Sequence, residues 1–140
     1  MMRTLTLGML LGALFIPASA AASEPVQLDA RIEGTQAGER ARINLGDKFE
    51  LVLTVTRPSK AQIFVPTSPD LSPFRLLEYV PPSTAQKTSA TEEHRYRLIA
   101  LRLGSRRLPS VELTYRLEDG TAGALRTQKF RVMVAGHLLN

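Results

Sequence analysis

The chain is 140 residues long, carries a formal charge of +5 at neutral pH and contains neither cysteine nor tryptophan. The lack of cysteine excludes a disulfide-framed scaffold and a thiolate metal site, so stability has to come from packing and backbone pairing. The absent tryptophan and sparse aromatics leave no base-stacking pattern, which argues against single-stranded nucleic acid as a partner.

The chain opens on MMRTLTLGMLLGALFIPASAAAS. One basic residue, Arg3, an apolar run from Leu5 to Ile16, Pro17 and a cluster of small residues follow in the order of a secretory signal peptide, predicted over 1–22 with cleavage after Ala20 or Ala22. The run is too short to cross a bilayer of ~30 Å, for which a helix needs ~20 residues. No cysteine is present to take a lipid, so the expected mature chain is free of a membrane anchor and either periplasmic or secreted. The remainder, 23–140, has the length of one domain. Outside the cell interior, a positive balance points to anionic surfaces or acidic proteins before nucleic acid.

Period-two alternation dominates this remainder. VQLDARIEG places Val26, Leu28, Ala30 and Ile32 on one side, as a first strand. ARINLGDKF offers a short strand through Ile43 and Leu45, then Gly46 and Asp47 for a turn. FELVLTV sets Phe49, Leu51, Leu53 and Val55 against Glu50, Val52 and Thr54, a half-buried strand. QIFV (62–65) is stopped by Pro66, and PTSPDLSP, with Pro66, Pro69 and Pro73, reads as a surface connection because proline cannot donate to a ladder. FRLLEYV (74–80) resumes a strand, and PPSTAQKTSATEE (81–93) reads as a polar loop.

In HRYRLIALRLG, Tyr96, Leu98 and Ala100 share one face and Arg95, Arg97, Ile99 and Leu101 the other, which predicts a central strand covered on both sides at its C-terminal end. Gly104 breaks it, Arg106 to Leu108 form a short edge piece, and Pro109 interrupts pairing. VELTYRL turns Val111, Leu113, Tyr115 and Leu117 inward, and Glu118-Asp119-Gly120 signals a hairpin. The last strand covers about 125–134; Leu125 and Thr127 have the opposite parity from Phe130, Val132 and Val134, which predicts a bulge near Gln128 or Lys129. Roughly seven or eight short strands without helices imply an all-β, immunoglobulin-like antiparallel β-sandwich, with a closed barrel as the alternative.

The succession LDARIE, LGDKFELVLTV, FVPTSPDLSPFRLLE, YRLIALRLGSRRLPSVELTYRLEDG and TQKFRVMV resembles the immunoglobulin-like domain of the bacterial BatD (Bat aerotolerance) family over most of the mature chain. The resemblance implies a non-catalytic, periplasmic or membrane-facing module, with von Willebrand A-type membrane proteins and MoxR-type ATPases as candidate partners. Typical members are longer and end in a transmembrane anchor, so this chain is expected to be a short form.

The residues for chemistry are few. There are two histidines, His94 and His137, and no HExxH, GxSxG, Walker or GxGxxG pattern, so no enzyme, cofactor or metal site is expected. His94 reads as a solvated loop end, because Glu92, Glu93 and His94 in succession point to alternating faces. Glu118 and Asp119 read as turn residues, and Asp29, Glu33, Asp47 and Asp70 follow no calcium-loop spacing. Outward arginines remain as the candidate partner-binding basic face: Arg95, Arg97, Arg116 and Arg131 on strands expected to be neighbours, with Arg102, Arg106 and Arg107 near the glycine break. The plainer expectation is a solvated sheet face with weak cross-strand pairs to Glu112 or Glu118. Two functions follow: a protein-interaction module of a bacterial envelope complex, or a glycan- or cell-wall-binding sandwich, the latter disfavoured by the scarcity of aromatic platforms, for which Tyr79 is the one exposed candidate.

Overall fold

The structure, a computed structural model, describes residues 25–34, 41–83 and 90–136, so the predicted signal segment, the middle of the polar loop and His137 lie outside it. The described residues form strands only: β1 (Gln27–Glu33), β2 (Ala41–Asn44), β3 (Lys48–Thr56), β4 (Gln62–Phe64), β5 (Arg75–Val80), β6 (Thr91–Ile99), β7 (Gly104–Leu108), β8 (Glu112–Arg116), β9 (Ala122–Arg126) and β10 (Phe130–Ala135). A first sheet has the order β1-β3-β6-β5, all antiparallel. The remaining ladders have the orders β2-β10-β7 and β4-β8-β9, with β2 running parallel to β10.

These two ladders belong to one second sheet. Gly104 opposes Val134 and Leu108 opposes Phe130; further along, Glu112 opposes Arg126 and Arg116 opposes Ala122. The register is the same on both sides of the break, so β7 with β8 is one interrupted strand and β9 with β10 is its hairpin partner. Ten segments thus make eight strands. In the lettering of immunoglobulin domains the first sheet is A-B-E-D and the second is C-F-G, extended by the first strand's continuation along G. The chain is an immunoglobulin-like sandwich.

The expected bulge near Gln128 or Lys129 is absent, and the reason is instructive. Both strands of the hairpin change face at the same level: Leu108 is buried at even parity and Val111, Leu113 and Tyr115 at odd, while Thr127 is buried at odd parity and Val132 and Val134 at even. A bulge adds a residue to one strand; here each strand gives up its ladder over the same short stretch and register survives. Pro109, with no N–H to donate, starts the break. It is closed by the Val111 N–H donating to Thr127 Oγ1 at 2.8 Å and the Thr127 N–H donating to the Val111 carbonyl at 2.9 Å.

The main core joins Phe49, Leu51, Leu53, Tyr96 and Leu98 of the first sheet to Ile43, Leu108, Val132 and Val134 of the second. A second cluster gathers Val26, Val55, Leu113 and Tyr115 toward the hairpin end. Tyr96 is fully buried, and its hydroxyl donates to the Pro66 carbonyl at 2.6 Å, which ties the proline-rich connection to the core. Phe74, at the end of that connection, meets Phe49 edge to face at 5.3 Å. Opposite Tyr115, Gly123 leaves the space its ring occupies: a Cβ there would collide with the Tyr115 hydroxyl.

Two expectations need correction. β6 is central, but its C-terminal end is not covered on both sides, since Leu101 is half exposed; Leu45 is likewise outside the core. The polar loop ends earlier than expected, because Thr91, Glu92 and Glu93 pair with Thr56, Val55 and Thr54 as the start of β6.

The break predicts a specific sensitivity. Thr127→Val is nearly isosteric and leaves the buried Val111 N–H without an acceptor, so it should cost about 1–3 kcal/mol in urea unfolding; Thr127→Ser, which keeps the hydroxyl, should recover most of that loss. Gly123→Ala should cost a similar amount, about 1–3 kcal/mol by overpacking, and Tyr115→Phe should not rescue it, because the ring carbon that bears the hydroxyl would still collide with the added Cβ.

Candidate interaction surface

The outward face of the first sheet is a charge network. Arg95 on β6 lies between β3 and β5, and its guanidinium donates to Glu33 and Glu50 at 2.7 Å each and to Glu93 at 3.2 Å. Arg97 reaches Glu50 at 3.2 Å and Glu78 at 2.8 Å, and Arg31 reaches Glu33 at 2.9 Å and Glu93 at 3.1 Å. Beneath them Val52, on the outward parity of β3, is fully buried, because its cross-strand neighbours are Arg31 and Arg95. The methylene stems of these arginines cover it while their heads stay in the network.

Titration follows from this geometry. Hydrogen bonds from Arg95 first, and then from Arg31, hold the Glu33 carboxyl below its ordinary value. Glu50 is lowered mainly by Arg95, against the opposing effect of burial. Arg95 is raised in turn by hydrogen bonds to Glu33 and Glu50. With Asp29, Lys48 and Arg75 on the same face, five cations stand among five carboxylates here. This is not a basic surface, and Arg95 and Arg97 leave the expected site for that reason.

The second sheet is different. Arg107 and Arg131 are directly opposed on β7 and β10, both exposed. Arg42, exposed on β2, lies opposite Met133 on the far side of β10. No carboxylate among the described residues pairs with any of these three. Farther along, Arg116 is exposed beside Gln62 and Ala122, and Arg126 pairs with Glu112 at 2.6 Å. Phe64, 56% exposed, lies opposite Thr114, whose other neighbour is Ala124. The face therefore carries Arg42, Arg107 and Arg131 toward one end and the open Phe64 ring toward the other.

Of the seven arginines expected to form one surface, the structure sets Arg107 and Arg131 side by side on the second sheet, with Arg116 on the same sheet nine residues beyond Arg107. Arg95 and Arg97 are on the opposite sheet, so Arg95, Arg97, Arg116 and Arg131 are not on neighbouring strands. Arg102 sits in the β6–β7 loop, and Arg106 folds back so that its Nε donates to the Leu103 carbonyl at 2.8 Å. Glu112 does pair across strands, with Arg126, and Glu118 pairs with Lys60 at 3.2 Å. Sequence reasoning missed Arg42, because only the long-range parallel pairing of β2 with β10 brings it to this face. It also missed the aromatic: Tyr79 is half-buried, stacked on His94, and Phe64 is the exposed ring.

His94 is no solvated loop end. It is buried on the inward face of β6 with Glu92, two residues away. Its Nε2 is 3.2 Å from Glu92 Oε1 and its Nδ1 is 2.7 Å from the Tyr79 hydroxyl; Arg57 Nε stands 3.7 Å from the other Glu92 oxygen. A carboxylate only accepts, so Nε2 carries the hydrogen, and in the neutral ring Nδ1 accepts from Tyr79. Burial, with Glu92 nearby, raises the Tyr79 phenol, the opposite of what an activated nucleophile requires. The array fastens β5 and the β3–β4 loop to β6. Among the described residues no group of acidic or histidine side chains is arranged to hold a metal.

No protein-family model matches the chain, and no characterised protein matches it in sequence. Among solved structures it is similar to the BIgI domain of the beta protein from S. agalactiae, determined bound to CEACAM1. The likeness has 12% identity and a TM-score of 0.41, and it covers 80% of this chain and 100% of that one.

The network on the first sheet predicts an acid-labile contribution to stability. Because Glu33 and Glu50 titrate below their ordinary value of 4.5, their contribution is complete above about pH 4.5 and is lost as pH falls through the lowered values. In Arg95→Gln, urea unfolding should show a loss of about 1–2 kcal/mol at pH 7 and a shallower decline between about pH 5 and pH 3 than in the parent.

Proposed function

We propose that the protein is a non-catalytic, periplasmic protein-interaction module of a bacterial envelope complex, of the BatD kind, whose binding surface is the outward face of the second sheet. A single observation carries this reading: Arg107 and Arg131 stand directly opposite one another, and no carboxylate among the described residues pairs with either. Like charges in that position destabilise a sheet by roughly 0.2–1 kcal/mol relative to neutral pairs. On the other sheet Arg31, Arg95 and Arg97 are each matched with glutamates, so this fold has ready means to neutralise a guanidinium. Leaving three unmatched on one face suits a surface whose neutralising groups arrive with a partner.

The partner's chemistry follows from the face: carboxylates spaced to meet Arg42, Arg107 and Arg131 and, farther along the strands, an apolar patch that covers Phe64, since buried aromatic and arginine anchors supply most of an interface's energy. The sequence resemblance suggests a von Willebrand A-type membrane protein of a MoxR-associated system. A single exposed ring gives little platform for sugar stacking, which keeps the glycan reading behind. The predicted signal segment, the lack of catalytic motifs and a His94 with both ring nitrogens occupied support an exported, non-enzymatic role.

Arg107→Glu tests the proposal because it pulls stability and binding apart. It replaces a repulsive pair with an attractive one, so stability should stay level or rise by about 0.2–1 kcal/mol. Capture of an acidic envelope protein by crosslinking in intact cells should fall about tenfold. Arg97→Gln should do the reverse, reducing stability slightly and leaving capture intact. Recovery of no specific envelope partner, or capture indifferent to Arg107→Glu, would refute the reading.

A further inference from the structure

One end of the sandwich carries a second surface of different character. Leu101 and Leu103, in the β6–β7 loop, are each 50% exposed, and Leu45, in the β2–β3 turn, is 38% exposed. Main-chain bonds hold the two loops together: the Leu45 N–H donates to the Ala135 carbonyl and the Gly46 N–H to the Ala100 carbonyl, both at 2.8 Å. Leu103 reaches across to the end of β10, where its Cδ2 would lie 3.5 Å from a Cβ on Gly136. The three leucines therefore project from adjoining loops at the same end.

Cations surround them. Arg102 separates Leu101 from Leu103; Arg106 is pinned beside the Leu103 carbonyl; Arg75 shares with Leu101 and Arg102 a shallow groove at the start of β5. None of these three guanidinium groups pairs with a carboxylate among the described residues. Of the acids nearby, Asp70 is engaged by the Ser72 N–H and hydroxyl at 3.1 and 2.7 Å, and Asp47 lies in the β2–β3 turn.

We propose that this end docks on an anionic lipid bilayer. The exposed leucines offer apolar area to a soft hydrocarbon layer, and the three arginines beside them, unpaired among the described residues, are complementary to its anionic surface. Arginines interleaved with them reach headgroup phosphates while their stems follow the leucines inward. Apolar area and cationic charge reinforce one another on a negatively charged membrane and fail to do so on a neutral one. No helix among the described residues is long and apolar enough to cross a membrane, so this contact is peripheral.

The test is sedimentation of the mature protein with vesicles of phosphatidylcholine alone or mixed with phosphatidylglycerol. Binding is expected to the mixed vesicles and to be weak to the neutral ones. The double variant Leu101→Ser, Leu103→Ser should lower the partition coefficient about tenfold or more with an unchanged unfolding midpoint, since both side chains are exposed; Arg107→Glu should leave it near the parent value. Because the chain has no tryptophan, Leu103→Trp supplies a single fluorophore whose emission should shift to the blue on mixed vesicles. The proposal is overturned if neither vesicle binds, if the leucine variant binds as the parent does, or if Arg107→Glu alone removes binding, which would mean adsorption through the sheet face. It is equally overturned if the leucine variant loses a protein partner while vesicle binding persists.

Discussion

The second sheet depends on a pair of hydrogen bonds between Val111 and Thr127. Its long hairpin has to serve two cores of opposite parity: Leu108, Val132 and Val134 near one end, Val111, Leu113 and Tyr115 toward the other. A regular ladder would expose one of the two sets, because side chains alternate strictly. Changing face in both strands at once keeps both sets inside without shifting register, provided the backbone groups freed at the break find partners. Thr127, buried and polar, supplies the acceptor that Val111 needs. Pro109 fits beside it because it has no donor to satisfy.

The same change of face decides which charges point outward. Before the break, the outward charged residues of β7 and β10 are Arg107 and Arg131; after it, the outward residues are Glu112, Thr114 and Arg116 facing Arg126, Ala124 and Ala122. Glu112 falls where it can meet Arg126 and cannot help the pair on the other side of the break. In the first sheet β1, β3 and β6 pair without interruption, so their alternation lines up arginines and glutamates that neutralise one another, and a register shift in β5 between Leu76 and Glu78 sets Glu78 opposite Arg97. The centre of one sheet therefore closes its electrostatics internally, and the other leaves Arg107 and Arg131 open.

Much of this was legible from local pattern. The inward residues of β1, β3, β6 and β8 follow from period-two spacing, and the turns at Gly46 and Gly120 from the left-handed backbone that glycine permits, with φ of 86° and 89°. The parity conflict between Leu125 and Phe130 was visible too, but a single strand cannot reveal that its partner changes face at the same level. Pairing between distant segments was the main thing hidden: it separates Arg95 from Arg131 and brings Arg42 beside β10. Burial of Glu92 and His94 was hidden for a related reason. Polar residues next to a polar loop read as solvated until Tyr79 and Arg57, from other elements, are seen to satisfy them.

The two open surfaces are oriented differently with respect to the strands, and this constrains how they work together. A sheet face lies along the strand axes, whereas the leucine-bearing loops lie across their ends. A domain resting on a bilayer by those loops stands with its strands steep to the membrane and turns the Arg107–Arg131 face sideways, into the aqueous layer just above the lipid. That height suits a partner whose own acidic surface is held close to the membrane. Association would then occur between two molecules confined to one layer, which raises their effective concentration without any new contact. Under that arrangement a sheet face with few apolar anchors, only Phe64 among its large side chains being widely exposed, suffices for a complex that the same face would hold only weakly in free solution.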